Sequence, residues 1–364
     1  MSGWWLAALW AAAAAWLITR AVRGRRSLDT LHADAPVSSS LPMVTVIVPV
    51  RNEADVIASC LAGLLAQNYP ADRLAIIVVN DGSTDASGDI LAQIAAAVPR
   101  LKVISAGPLP PGWVGKSHAC WRGARLAQGE FLCFIDADTV AAPGLLEAAV
   151  GEAQSKNLDL LSLAPRQSLG SLLERLVIPA GMFVLAFAGV TSAVGQFMLI
   201  RRTAYDAIGG HAAVRQAIAE DGAMADLLTR TSHRVALMNG APFMTVRLYR
   251  RGRDLWEGLS KNVVETLGGW GRSLLICGLG LPLAWAALLV PLLTGDPWAR
   301  ALALAASLAV VALHIAGARY FRLPPWYGLL FPVGYTLACL LALTGFVKRL
   351  RGDVTWKGRH YPAD

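Results

Sequence analysis

The stretch Val44-Thr45-Val46-Ile47-Val48-Pro49-Val50-Arg51-Asn52-Glu53 decides the fold. Its first seven residues are nearly all β-branched and carry no charge, which reads as a strand buried on both faces. The polar Arg51-Asn52-Glu53 behind Pro49 reads as the loop into which that strand runs. Working outward, residues 53–67 place apolar side chains at helical spacing and stop at Asn68-Tyr69-Pro70. Residues 74–79 form a second buried strand, closed by Asn80-Asp81-Gly82-Ser83. Residues 85–97 predict a helix with Ser83 or Thr84 as its cap. A third strand (101–105), a helix (117–127) and a fourth strand (130–135) follow. Strands and helices that alternate through short loops predict an α/β domain with a mostly parallel sheet. Such sheets bind ligands beyond the carboxyl ends of their strands, where the strand order reverses. Asn52 and Glu53, Asp81, and Asp136 and Asp138 all fall at such strand ends.

The rest of the chain has a different composition. Of 364 residues, 55% are hydrophobic and 16% charged, against roughly 25% charged in an ordinary soluble domain. Disordered, collagen-like and disulfide-scaffold classes are excluded. The apolar excess sits at residues 4–22, 273–294, 301–317 and 326–347, each about long enough to cross a ~30 Å hydrocarbon layer. No basic region precedes the first span; Arg20, Arg23, Arg25 and Arg26 follow it, the polarity of an uncleaved anchor. Lys348, Arg349 and Arg351 follow the last span. The net charge of +8 thus lies at the ends of spans, which points to an anionic lipid surface and to no nucleic acid. The five cysteines form no C-x-x-C pair and read as reduced, mostly buried thiols.

The expected organisation is an N-terminal transmembrane anchor (1–26), a linker (27–42), an α/β domain (43–265) with an interfacial segment at 176–194, a C-terminal transmembrane region (266–350) and a basic tail (351–364). The α/β domain is expected to face the cytoplasm of a multi-pass cell (inner) membrane protein. Gly278, Gly280, Pro282 and Pro291 leave the 273–294 segment open to a bent or re-entrant form. Three C-terminal crossings would put the basic tail on the far side; if the bent 273–294 segment does not cross, the tail returns to the cytoplasm.

Several residues carry candidate chemistry. Asp136-Ala137-Asp138 ends an apolar strand, and two carboxylates at that place suit Mg²⁺ or Mn²⁺ with phosphate oxygens; a solvated turn in which Asp138 caps the next helix is the alternative. Asp81 can accept hydrogen bonds from a base or ribose, with Gly82 allowing close approach, or can belong to a helix-capping turn. Glu220-Asp221 precedes a helical stretch; a carboxylate there can serve as general base or merely complement the helix dipole. Lys116, in Trp113-Val114-Gly115-Lys116, can meet an anionic group at a helix start, but the full P-loop spacing is missing. Arg250, Arg251 and Arg253, close to Trp256 and Lys261-Asn262, can bind a diphosphate or contact lipid headgroups.

In combination, Val46-Ile47-Val48-Pro49-Val50-Arg51-Asn52-Glu53, Val79-Asn80-Asp81-Gly82-Ser83-Thr84-Asp85, Asp136-Ala137-Asp138 and Glu220-Asp221 resemble a family 2 glycosyltransferase of the GT-A fold. Leu109-Pro110-Pro111-Gly112-Trp113-Val114-Gly115-Lys116, Glu174-Arg175-Leu176-Val177-Ile178-Pro179-Ala180, Gly209-Gly210-His211 and the tail Trp356-Lys357-Gly358-Arg359 with Tyr361 are most similar to hopanoid-associated and carotenoid (diaponeurosporenoate-type) lipid glycosyltransferases. Processive relatives carry Q/R-x-x-R-W, whereas here Arg253 is followed by Asp254-Leu255 and Trp256. The resemblance implies a nucleotide-sugar donor, a UDP-sugar by expectation, held by Pro49, Arg51, Asn52, Glu53, Asp81, Lys116, Asp136, Arg250, Arg253 and Trp256. It implies a divalent cation on Asp138 and Asp136, and Asp221 as base beside Glu220. It also implies an inverting displacement onto a membrane lipid acceptor such as a hopanoid, carotenoid or related lipid. A metal-dependent nucleotidyl- or phosphotransferase, or a non-catalytic scaffold, are the other classes the residues allow.

Overall fold

The structure, a computed structural model, describes residues 3–26, 28–33, 41–188, 193–351, 354–356 and 359–361. Half of the expected linker (residues 27 and 34–40), residues 189–192 of the 176–194 segment, and residues 352–353, 357–358 and 362–364 of the tail lie outside the described residues. The chain begins with α1 (Trp4–Arg26), β1 (Val44–Val50), α2 (Ile57–Leu65), β2 (Leu74–Asn80), α3 (Ser87–Ala97), β3 (Leu101–Ser105), α4 (Gly115–Leu126) and β4 (Phe131–Ile135). Next come β5 (Thr139–Ala141), α5 (Leu145–Ser155), β6 (Leu160–Ala164), β7 (Arg166–Gln167) and α6 (Leu172–Ala188). They are followed by β8 (Phe197–Arg201), α7 (Arg202–Ala207), α8 (Gly210–Ala213), α9 (Glu220–Arg230), β9 (Val235–Asn239) and β10 (Met244–Val246). The last elements are α10 (Gly252–Thr266), α11 (Trp270–Leu293), α12 (Pro297–Tyr320), a 3-10 turn (Pro325–Leu330), α13 (Phe331–Leu350) and the ribbon β11 (Val354–Trp356) and β12 (Arg359–Tyr361).

The chain divides into two compact units. The α/β unit comprises Leu28–Ser168 and Thr191–Leu248. Its seven-stranded sheet runs β3-β2-β1-β4-β8-β6-β9. β3, β2, β1 and β4 are parallel neighbours, as the alternating pattern requires. β8 is antiparallel to both β4 and β6, so the sheet is mostly rather than wholly parallel. Two apolar layers cover it. One packs Val46, Val48, Leu61, Phe131 and Phe197 under α2 and α5. The other packs Ile47, Val79, Phe134 and Met198 under α4 and α9. Leu31, within the expected linker, is buried in this unit, and Thr30 bridges to Asn239.

Two local expectations are corrected. Neither Ser83 nor Thr84 caps α3: the Asp85 carboxylate accepts from the Ser87 amide, while Ser83 Oγ accepts from the Asn52 amide. Asp138 caps no helix, because β5 begins at the next residue.

The second unit comprises Met1–Ser27, Leu169–Val190 and Tyr249–Asp364. Among the described residues, four of its helical segments are long and apolar enough to cross a membrane: Trp4–Gly24, Trp270–Leu293, Pro297–Tyr320 and Pro325–Leu350. The 273–294 stretch lies in one continuous helix with Pro282 and Pro291 inside it. α6 likewise continues through Pro179, and its Val177 and Ile178 pack with Leu255 and Leu341.

Candidate active site

Register builds the site. Pro49 on β1 stands opposite Val79 on β2, and Ile47 stands opposite Phe134 on β4. With the strands parallel, this alignment brings the loop at Arg51–Glu53, Asp81 and Asp136 to one edge. The order 3-2-1-4 reverses between β1 and β4, so that edge lies at the switch point where α/β sheets take ligands.

Hydrogen bonds stitch the first two loops together. Arg51 Nη1 donates to the carbonyls of Asp81 (2.6 Å) and Gly82 (3.1 Å). Asn52, in the left-handed region at φ 53, accepts from the Thr84 amide through Oδ1 at 2.8 Å. The Glu53 amide donates to Ser87 Oγ (2.8 Å), and the Ala54 amide to Asp85 (3.1 Å). Burial pushes the Asp85 carboxyl up, but the hydrogen bonds from Ser87 and Ala54 outweigh it and hold the group below its usual range. Asp81 itself is buried, its amide bonded to Val50 O. Arg51 and Asn52, both expected on the nucleotide, thus shape the cradle around Asp81.

A second cluster forms where α4 meets α9. Lys116 Nζ lies 2.7 Å from Asp136 Oδ1 and 2.8 Å from Glu220 Oε1. A Cβ built on Gly195 would fall 2.8 Å from that Nζ and 3.3 Å from Asp221 Oδ2, so Asp221 shares the cluster and a side chain at 195 would press on both groups. Burial opposes the Lys116 charge, yet Asp136, Glu220 and Asp221 hold its pKa well above the usual lysine value. Glu220 is pushed up by burial and pulled down further by Lys116, ending below its ordinary value. Asp221 goes the other way: burial and the Glu220 charge push it up to about 6. Two adjacent carboxylates therefore differ in basicity, the arrangement that separates a fixed charge from a proton acceptor.

The thiols behind the site record how these groups converge. Burial raises both Cys60 and Cys120. The charges of Asp138, Asp136 and Glu53 add to that rise at Cys60; at Cys120, Glu220, Asp136 and Asp81 raise it and Lys116 opposes them. Carboxylates from four places in the sequence thus surround one strand-end region. Among the described residues no group of three or more His, Cys, Asp or Glu side chains is arranged to hold a metal. A cation here would rest on Asp136 and Asp138, two hard oxygen donors, and complete its shell from a ligand's oxygens; that donor set fits Mg²⁺ or Mn²⁺.

Arg250, Arg253 and Trp256 belong to the other unit. Arg250 is exposed, Arg253 pairs with Glu257 one turn along α10 at 2.9 Å, and Trp256 packs with Val177, Ile178, Leu255 and Leu341.

Sequence reasoning missed the floor of the cluster. His211 is wholly buried and is pushed down to about 3, chiefly by burial, so it is neutral. Its Nδ1 meets the Tyr205 hydroxyl at 3.0 Å, and its ring meets Phe134 edge-on at 4.6 Å. A Cβ on Gly210 would collide with the Tyr205 ring, which gives the Gly209-Gly210-His211 signal its physical meaning. Gly195 carried no signal at all.

The structure thus joins a mostly parallel sheet, a carboxylate cradle at its switch point and two adjacent carboxylates of unequal basicity at a helix start, an α/β arrangement that takes ligands at its strand ends. Residues 45–221 match Glycosyl transferase family 2. The chain is 32% identical over 239 residues to 4,4'-diaponeurosporenoate glycosyltransferase of Staphylococcus aureus strain MRSA252 and 31% identical to that of strain USA300. Each match spans 62% of this chain and 62% of the relative's length. Among solved structures, a mannosyltransferase, PcManGT, from Pyrobaculum calidifontis, in complex with GDP-Man and Mn²⁺, has a TM-score of 0.59 at 22% identity. That likeness covers 96% of this chain and 99% of the neighbour. It concerns the fold, which is GT-A.

Proposed function

We propose that this protein transfers a sugar from a nucleotide-sugar to a hydroxyl or carboxyl of a membrane lipid, with inversion at the anomeric carbon. The observation that carries the reading is the Lys116 bridge, 2.7 Å to Asp136 and 2.8 Å to Glu220. One ammonium couples the strand end suited to a diphosphate with the acidic pair suited to a base. The S. aureus relatives' name, a carotenoid glycosyltransferase, supports an isoprenoid-like acceptor. The neighbour's GDP-Man and Mn²⁺ support a nucleotide-sugar donor and a divalent cation.

In this reading Asp81 and the stitched Arg51–Glu53 loop hold the nucleoside. Asp136 and Asp138 hold Mg²⁺ or Mn²⁺, which when bound stabilises charge on the departing diphosphate. Asp221 takes the proton from the acceptor oxygen as its bond to the anomeric carbon forms and the bond to the diphosphate breaks. A base near pKa 6 is ionised at neutral pH yet more basic than an ordinary carboxylate. Glu220, held as an anion by Lys116, keeps Asp221 basic. The apolar helices hold the protein in the cell membrane with the α/β unit on the cytoplasmic face.

The test is to incubate membranes containing the protein with several labelled nucleotide-sugars, then analyse the lipid extract by mass spectrometry and the aqueous phase for nucleotides. A glycolipid together with nucleoside diphosphate is expected. Nucleoside monophosphate or pyrophosphate would point instead to nucleotidyl or phosphoryl transfer.

A further inference from the structure

The segment Pro325–Leu350 meets the length and hydropathy of a membrane crossing, but its neighbours within the helical unit place both its ends at the same end of the bundle. α1 and α12 run parallel. Gly3 lies against Thr294, just before α12, and Trp10 Nε1 donates to Ser307 Oγ at 3.0 Å further along. α11 and α12 are joined only by Thr294–Asp296, so they run antiparallel. Hence the end of α1 with Arg20 and Arg23, the end of α12 with Arg319, and the start of α11 with Trp270 and Arg272 share one side.

After Tyr320 the chain turns back along α12. A Cβ on Gly328 would fall 2.5 Å from Ile315 N. Phe331 stacks on His314 at 4.0 Å between centroids, and Thr336 Oγ1 accepts from Trp285 Nε1 at 3.1 Å. At about 1.5 Å per residue, His314 lies ~9 Å from the Tyr320 end of α12 and ~26 Å from its Pro297 end. α13 then runs back along α11: Phe346 meets the Trp270 ring at 4.8 Å, and the Arg349 guanidinium lies over that ring at 5.8 Å. The segment therefore goes in from the Tyr320 end without reaching the Pro297 end and comes out where it entered.

Resting on the membrane reading above, we propose that Pro325–Leu350 is a re-entrant element: α1, α11 and α12 cross, and a single bilayer leaflet with anionic headgroups meets the basic C-terminal ends of α1, α12 and α13. Two observations support it. Irregular backbone at membrane depth is tolerated only when enclosed by protein, and this segment is the most enclosed of the four, with 39% of its most apolar window buried against 17%, 22% and 28%. Lys348, Arg349 and Arg351 then join Arg20, Arg23 and Arg319 on one side, as the positive-inside tendency requires. The opposite connection carries Asp296, which caps α12, and Arg300, which donates to Thr294 O.

The test uses the full chain in sealed vesicles of both orientations and a membrane-impermeant maleimide, read above the unsubstituted protein. The variants are Arg23→Cys, Gly295→Cys and Arg351→Cys, with Leu350→Cys as a second probe of the tail. Labelling of Arg23→Cys, Arg351→Cys and Leu350→Cys from one side and of Gly295→Cys from the other is expected. Labelling of the two tail variants from the Gly295→Cys side would overturn the re-entrant element while leaving membrane embedding intact. Release of the protein by alkaline carbonate would overturn both.

Discussion

The two units handle polarity in opposite ways. In the α/β unit the large apolar side chains point inward, and charged groups gather around Lys116, where each tunes the others. In the helical unit Leu292, Leu293 and Trp298 are 77%, 71% and 77% exposed, while the polar groups inside are settled singly: Trp10 with Ser307, Trp285 with Thr336, His314 with Val310 O. Water rewards the first arrangement, because it hydrates the surface charge and leaves apolar area to be buried. Hydrocarbon rewards the second, because it demands only that each polar group find a partner. Charge coupling sets the basicity of side chains in one unit; the other settles its polar groups pair by pair.

That contrast can be broken most severely at Asp221. Asp221→Asn should lower transfer by about 10²–10⁴-fold, the usual contribution of a general base, while donor affinity in a nucleotide-sugar titration stays close to the parent's. Parent-like turnover would dissolve the distinction between the two carboxylates. Next comes Lys116→Met, which leaves Asp136 and Glu220 facing each other. Breaking a fully buried pair costs about 3–5 kcal/mol; with Lys116 33% exposed, about 2 kcal/mol is expected in chemical denaturation, together with loss of transfer.

The third effect is a pH dependence. Asp221 is raised to about 6, so it is ionised above that pH and protonated below it. Transfer should therefore fall toward about tenfold per pH unit on the acid side of 6, and a profile flat down to pH 4 would remove the coupling. The smallest effect belongs to the helical unit. Trp10→Phe removes one hydrogen bond, worth about 0.6 kcal/mol between membrane helices, and should leave activity alone while slightly lowering the melting temperature in detergent. A collapse of activity there would mean that the helices do more than anchor.

Much of this was legible because period and punctuation are local. The alternation from Val44 to Ile135 gave the parallel core, and the polar strand ends gave Asp81, Asp136 and Asp138. The Glu220-Asp221 pair was visible as well, but not the difference between its members. That depends on Lys116, 104 residues earlier in the chain, and on the burial of both carboxylates. Arg51 and Asn52 were readable as polar residues of a strand-end loop, though not as braces whose partners are backbone groups of another loop.

The sequence by itself determined the α/β class, the apolar spans and the set of acidic residues, since hydrophobic period, span length and residue chemistry are written along the chain. Tertiary structure alone decided which carboxylate is basic, what crowds Gly195, and where Pro325–Leu350 turns back. Each of those depends on distances between residues far apart in sequence, and both electrostatic coupling and steric exclusion are functions of distance.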